Sequence, residues 1–167
     1  MKKLMAFLAV FTLAFVIVGC SEKEDKAASE KESTELTDQA KGKMYNAVRL
    51  GENKVDTVYA HDAAEDGTPV LNATFADEAA AETFLTKYYS EDVAKQITTH
   101  YSTGQKTDKG QIIVKEEPFF SKSITETTQD DVTIEGDAKK GTVKTKDGVT
   151  YTVEQKDNSY VVTKVEQ

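Results

Sequence analysis

At Gly110 the apolar residues of this chain change their spacing, and that change limits the folds open to it. Before it, TFADEAAAETFLTKYY places Ala81, Phe84, Leu85 and Tyr88 at i, i+3, i+4 and i+7, with Thr74 and Asp77 spaced as a capping box. Ser90, Glu91 and Asp92 then open a second helix with Val93, Ile97 and Tyr101 on one stripe, and Gly104 is placed to end it. After Gly110 the period falls to two. Residues 111–115, 131–135, 141–146, 149–155 and 159–166 are rich in Val, Thr, Ile and Tyr. Asp147-Gly148 is a hairpin dipeptide between two of these runs, and Lys156-Asp157-Asn158 is a looser turn between the next two. Val149, Tyr151 and Val153 share one strand face and Thr150, Thr152 and Glu154 the other. A sheet with one polar face must cover its other face, and the preceding helices are the available cover. The expected fold is α+β: a short helix pair packed on a curved antiparallel sheet of four to six strands. Val55–Tyr59 and Val70–Ala73 are read as additional edge strands.

The start of the chain has a different logic. Met1-Lys2-Lys3 is followed from Leu4 to Val18 by an apolar stretch without a charge, too short to span a hydrocarbon core of about 30 Å comfortably. A positive start, an apolar middle and small residues at the end describe a secretory signal peptide over 1–19. Ile17-Val18-Gly19-Cys20 resembles the lipobox of bacterial lipoproteins. The resemblance implies cleavage between Gly19 and Cys20, with a diacylglycerol on the Cys20 sulfur. Cys20 is the chain's single cysteine, so an intramolecular disulfide is not open to it. Two acyl chains give stable anchoring, which one does not. The implied location is the cell membrane, lipid-anchored and facing outward.

Charge bears on what such an anchored body can touch. The whole chain carries a net charge of −8. Removing Lys2 and Lys3 with the signal peptide takes it to about −10, a balance that repels nucleic acid and anionic headgroups. Residues 20–43, from the lipidated Cys through SEKEDKAASEKESTELTDQAKGK, hold Leu36 as their one large apolar residue and read as a solvated tether. A weak helix capped near Thr34-Glu35-Leu36 and running toward Val48 is a further expectation there, with Gly42 set against it. Residues 44–167 are left as a single extracytoplasmic domain, long enough for one core.

Catalytic patterns are missing from that domain's sequence. It holds no glycine-rich phosphate loop, no G-x-S-x-G, no H-E-x-x-H and no C-x-x-C. His100 reads as a surface residue near the second helix's C-terminus. His61-Asp62 with Glu65-Asp66-Gly67 fits no twelve-residue calcium loop and reads as a solvated acidic turn. Glu116-Glu117 and Asp130-Asp131 are adjacent in sequence, so on a strand each pair points to opposite faces. No catalytic residue, cofactor or metal ligand is assigned. Pro118-Phe119-Phe120 is the segment that reads as a contact surface, since two adjacent aromatics on an extended segment cannot enter the same core face.

FLTKYYSEDVAKQI, GQIIVKEEP and the tail from DGVTYTVEQ to SYVVTKVE together resemble small exported bacterial domains in which a helix pair leads into a curved sheet. Two families share that pattern over about residues 80–165: exported inhibitors of DL-endopeptidases, and the cone-shaped NTF2-like class. Neither likeness transfers a site residue. The first implies a non-catalytic binding domain, with an envelope protein such as a cell-wall hydrolase as partner. The second implies a small-ligand carrier with a pocket between sheet and helices, for which Tyr88, Tyr101 and Tyr151 are read from the sequence as the lining. A metal-dependent envelope enzyme is the third expectation.

Overall fold

The chain enters its fold through a helix longer than its tether-like composition suggests. The structure, a computed structural model, describes residues 35–167. The expected signal peptide over 1–19, with Gly19, Cys20 and the lipobox-like stretch, lies outside the described residues. Helix α1 runs Asp38–Tyr59, and the Thr37 side chain caps it by accepting the Ala40 N–H at 3.1 Å. Met44, Tyr45, Val48, Val55, Val58 and Tyr59 form its buried stripe. Residues 38–43 are therefore the first turns of a core helix, not tether. Val55–Tyr59 is its last turn and not an edge strand, because Val55, Val58 and Tyr59 continue the helical period that begins at Met44. Gly42 and Gly51 sit inside the helix. Gly51 is there for space, since a Cβ on it would lie 2.8 Å from the Tyr89 hydroxyl.

A small hairpin follows, β1 (Asp62–Ala63) against β2 (Pro69–Val70), shorter than the expected Val70–Ala73 strand. Asp77 caps α2 (Glu78–Leu85) by accepting the Ala80 N–H at 2.7 Å, so the cap falls on Asp77 and not on Thr74. Ser90 caps α3 (Glu91–Tyr101), as its spacing to Val93 requires. Gly104 does not end α3. The helix stops at Tyr101 and the chain turns directly into β3 (Ser102–Lys106), where Gly104 takes a φ of +67° beside a register shift. Strand β4 (Ile112–Val114) returns antiparallel to β3 and also pairs with β2.

After a long connection with two short 3₁₀ turns, Ile124–Glu126 and Gln129–Asp131, four strands follow: β5 (Val132–Gly136), β6 (Lys140–Thr145), β7 (Thr150–Lys156) and β8 (Ser159–Glu166). The fold class is α+β, and it holds two four-stranded antiparallel sheets, ordered β1-β2-β4-β3 and β5-β6-β7-β8, where one sheet was expected. Neither sheet closes on itself. The second is a meander whose turns match their residues: Gly148 has φ +94° after β6, and Asp157 and Asn158 have φ +48° and +66° between β7 and β8. Its inward face carries Val143, Tyr151, Val153 and Val162, all fully buried against α1 and the helix pair. The helix-pair linker also touches this sheet, with Ser90 N–H donating to Val162 O and Val162 N–H to Tyr88 O. At about 1.5–3 kcal/mol for each large apolar side chain removed from water, this shared core is what holds both sheets to α1. Among the described residues no helix is long and apolar enough to cross a membrane.

Candidate functional site

The buried stripe of α1 carries one acid. Glu52 is 2% exposed and sits where Val48 and Val55 would lead one to expect another aliphatic residue. Its carboxylate takes three donors from two distant segments. Tyr151 Oη on β7 donates to Oε1 at 2.5 Å, and Ser123 Oγ and the Ile124 N–H both donate to Oε2, at 2.8 and 3.0 Å. Burial raises the Glu52 carboxyl above its ordinary value; the three hydrogen bonds pull the other way and do not overcome it. Tyr151 is pushed up as well, by burial and by the Glu52 charge. Tyr89 lies over Gly51 with a buried hydroxyl that finds no hydrogen-bond partner among the described residues, and burial and Glu52 push its pKa well up.

One turn beyond Glu52, Asp56 leaves the core for a cleft. The cleft, about 360 Å³, lies between the end of α1, the β1–β2 hairpin and the segment after β4. Asp56, His61, Asp62, Lys115 and Glu116 supply its charged wall, and Tyr59 and Tyr101 its aromatic one. These two rings stack with centroids 4.2 Å apart and planes 9° from parallel. Tyr59 donates to Thr98 Oγ1 at 3.2 Å and is pushed up to about 12, mostly by burial. Asp56 is half-buried and raised by that burial, with His61 opposing the shift through its charge. Among the described residues nothing donates a hydrogen bond to the Asp56 carboxylate, although its backbone carbonyl accepts the Ala60 N–H at 2.8 Å. The cleft thus offers a half-buried carboxylate beside two buried, stacked tyrosines, a setting suited to a cationic group.

The residues singled out from sequence are dispersed. His61 and Asp62 reach the cleft, but Asp62 accepts the Ala73 N–H, Glu65 pairs with Lys109, and Asp66 turns back on the Thr68 N–H. Among the described residues no group of three His, Cys, Asp or Glu side chains is placed to hold a metal ion. His100 is tied through Nε2 to Glu117 O at 2.8 Å, with its ring edge-on to Tyr101 and Phe119. Glu116 faces the cleft, while Asp131 is paired with Lys146 and held well below the usual carboxylate range by that lysine and Thr128.

The two adjacent rings part company. Phe120 is buried and packs toward Tyr151, while Phe119 is half-buried between Phe120 and His100. Tyr88, Tyr101 and Tyr151 do not share a lining. Tyr88 packs edge-on against Phe84, Tyr101 stacks on Tyr59, and Tyr151 points its hydroxyl into Glu52. The space between helices and sheet is occupied by Tyr89, Tyr151, Met44 and Ile124, each fully buried.

Sequence reasoning missed Glu52, Asp56, Tyr59 and Tyr89. The signal for Glu52 and Asp56 was an acid on or beside an apolar stripe, and for Tyr59 its place on that stripe, readable once α1 is continued through Tyr59. Tyr89 carried no such signal. Comparison with protein-family models, with curated proteins and with solved structures finds no match to this chain.

Proposed function

We propose that this protein is a lipoprotein held at the outer face of the cell membrane by Cys20, and that its domain binds a partner without chemical turnover. The partner is an envelope protein presenting a cationic group, of which a cell-wall hydrolase is the most concrete case. The observation that carries this reading is Asp56: a half-buried carboxylate with no donor among the described residues, set beside the stacked Tyr59 and Tyr101. The net charge of −8 supports it by steering a cationic partner toward the domain. The half-buried Asp56 carboxylate and the tyrosines beside it support recognition.

The test is binding of the mature chain, residues 20–167 with Cys20→Ser, to purified cell-wall hydrolases at several ionic strengths. Association slows as salt rises past the range where screening falls to about 8–10 Å. Asp56→Asn weakens the complex roughly tenfold, the scale of one partly desolvated charge contact at about 1.4 kcal/mol. In cells, the same Cys20→Ser change moves the exported protein out of the membrane fraction. Turnover of peptidoglycan fragments that disappears with His61→Ala or His100→Ala would overturn the non-catalytic reading.

A further inference from the structure

Between β4 and β5 the chain crosses the open side of the core as a strap, residues 115–131. Phe120 and Ile124 reach inward from it, and side chains of other elements hold its backbone at several points. Tyr101 Oη accepts the Phe119 N–H at 3.0 Å. The Gln167 amide clamps Phe119 O and the Ser121 N–H at 2.7 and 2.8 Å. Tyr45 Oη donates to Thr127 O. Glu52 holds the centre, taking both Ser123 Oγ and the Ile124 N–H on one oxygen while its other oxygen takes Tyr151.

We propose that Glu52 is a proton-operated clasp: with a proton bound it favours the closed strap, and when ionised it favours the strap's release. The geometry supplies the reason. The carboxyl is enclosed only while the strap is closed, because Ser123 and Ile124 are part of its enclosure. Around it stand Asp56 from its own helix, Tyr89 from the α2–α3 linker, Tyr101 from α3 and Tyr151 from β7. None of the four carries a positive charge, so a negative charge at Glu52 has hydrogen-bond donors beside it but no cation among these groups to offset its burial. Lifting the strap admits water to the carboxylate and removes the penalty on its ionised form.

Linkage fixes the sign. The closed-state carboxyl is raised above its ordinary value, chiefly by burial, and the open-state carboxyl returns to that value. The closed strap is therefore fully favoured below the ordinary carboxylate range, and the advantage is lost as pH rises through the raised value. The strap also carries Lys115, Glu116 and Pro118 on the cleft wall, so its release reshapes the cleft whatever the cleft binds.

Amide hydrogen exchange of the mature chain, residues 20–167 with Cys20→Ser, tests this, with Ile124 as reporter and Thr145, whose N–H donates to Val149 O in the second sheet, as control. After correction for intrinsic exchange, Ile124 protection falls as pH rises from the ordinary carboxylate range through the raised value, by roughly tenfold for each pH unit separating the two carboxyl states, while Thr145 protection holds. Glu52→Gln makes the Ile124 profile flat. Tyr151→Phe, which removes a bond that favours the ionised form, moves the fall to higher pH. A flat wild-type profile, an unchanged one in Glu52→Gln, or parallel loss at Thr145 overturns the clasp. Should Glu52→Gln fail to fold, Tyr151→Phe decides: a displaced profile supports the clasp and an unmoved one overturns it.

Discussion

The second sheet and the strap beside it are built on opposite terms. In β5-β6-β7-β8 each strand pairs with its neighbour in sequence, and turns such as Asp157-Asn158 set the register before any distant contact forms. The strap has neither period nor ladder. It is placed by single side chains reaching from far away in sequence: Tyr45, Glu52, Tyr101 and Gln167. A sheet spreads its stability over many interchangeable contacts, whereas the strap concentrates it in a few that have no substitute. Equal-sized changes in the two regions should therefore have unequal effects.

The largest effect falls at Glu52. Glu52→Ala leaves Tyr151 Oη, Ser123 Oγ and the Ile124 N–H without their acceptor and opens a gap in the α1 stripe. The expected cost is about 3–5 kcal/mol in urea unfolding, most of it from stranded donors. Glu52→Gln keeps an oxygen for the strap and sheds the buried charge, so it costs far less. A loss under about 1 kcal/mol for Glu52→Ala would mean that the strap is held by Phe120 and Ile124 alone, and the contrast between the regions would collapse.

What could be read from the sequence divides along the same line. The strands of the second sheet were legible almost to the residue, because Val149, Tyr151 and Val153 alternate with Thr150, Thr152 and Glu154 regardless of what packs on them. The Ser90 cap was legible for the same local reason. Helix α1 was underrated because its first turns are charged and VDTVY fits a strand as well as a helix over five residues. The first sheet was misjudged because β2 meets β4 across two intervening helices, which no local pattern encodes. Of the cleft, His61, Asp62, Tyr101 and Glu116 were noticed individually. Their meeting with Asp56 and Tyr59 depends on the path of the chain, so the site was legible as residues but not as a place.

A middle-sized effect is expected at Gly51, where non-local packing meets a helix. Alanine there gains up to about 1 kcal/mol in helix propensity. Its Cβ would nevertheless stand 2.8 Å from the Tyr89 hydroxyl and 2.9 Å from the ring carbon bearing it, and Tyr89 is 1% exposed with no room to retreat. Overpacking should win, for a net loss of about 1–3 kcal/mol by thermal or urea unfolding. A stabilised Gly51→Ala would show that the linker carrying Tyr89 shifts easily, and would extend the adaptable region from the strap to the helix pair.

The smallest effect belongs to the turn between β7 and β8. Asn158 has φ +66° and Asp157 before it +48°, the paired left-handed conformation that matches the twist of a two-residue hairpin. Asparagine tolerates that region and alanine does so poorly, so Asn158→Ala should cost about 1 kcal/mol. Asn158→Gly should stay within about 0.5 kcal/mol of the wild type, since glycine's ease in the turn is offset by the freedom it loses on folding. No distant segment hangs on this residue. Its effect should thus be independent of Glu52, and the double variant Asn158→Ala with Glu52→Gln should equal the sum of the singles within about 0.3–0.5 kcal/mol. Coupling beyond that would mean the hairpin and the strap share a support, and the division between a locally built sheet and a remotely held strap would have to be redrawn at β7, where Tyr151 belongs to both.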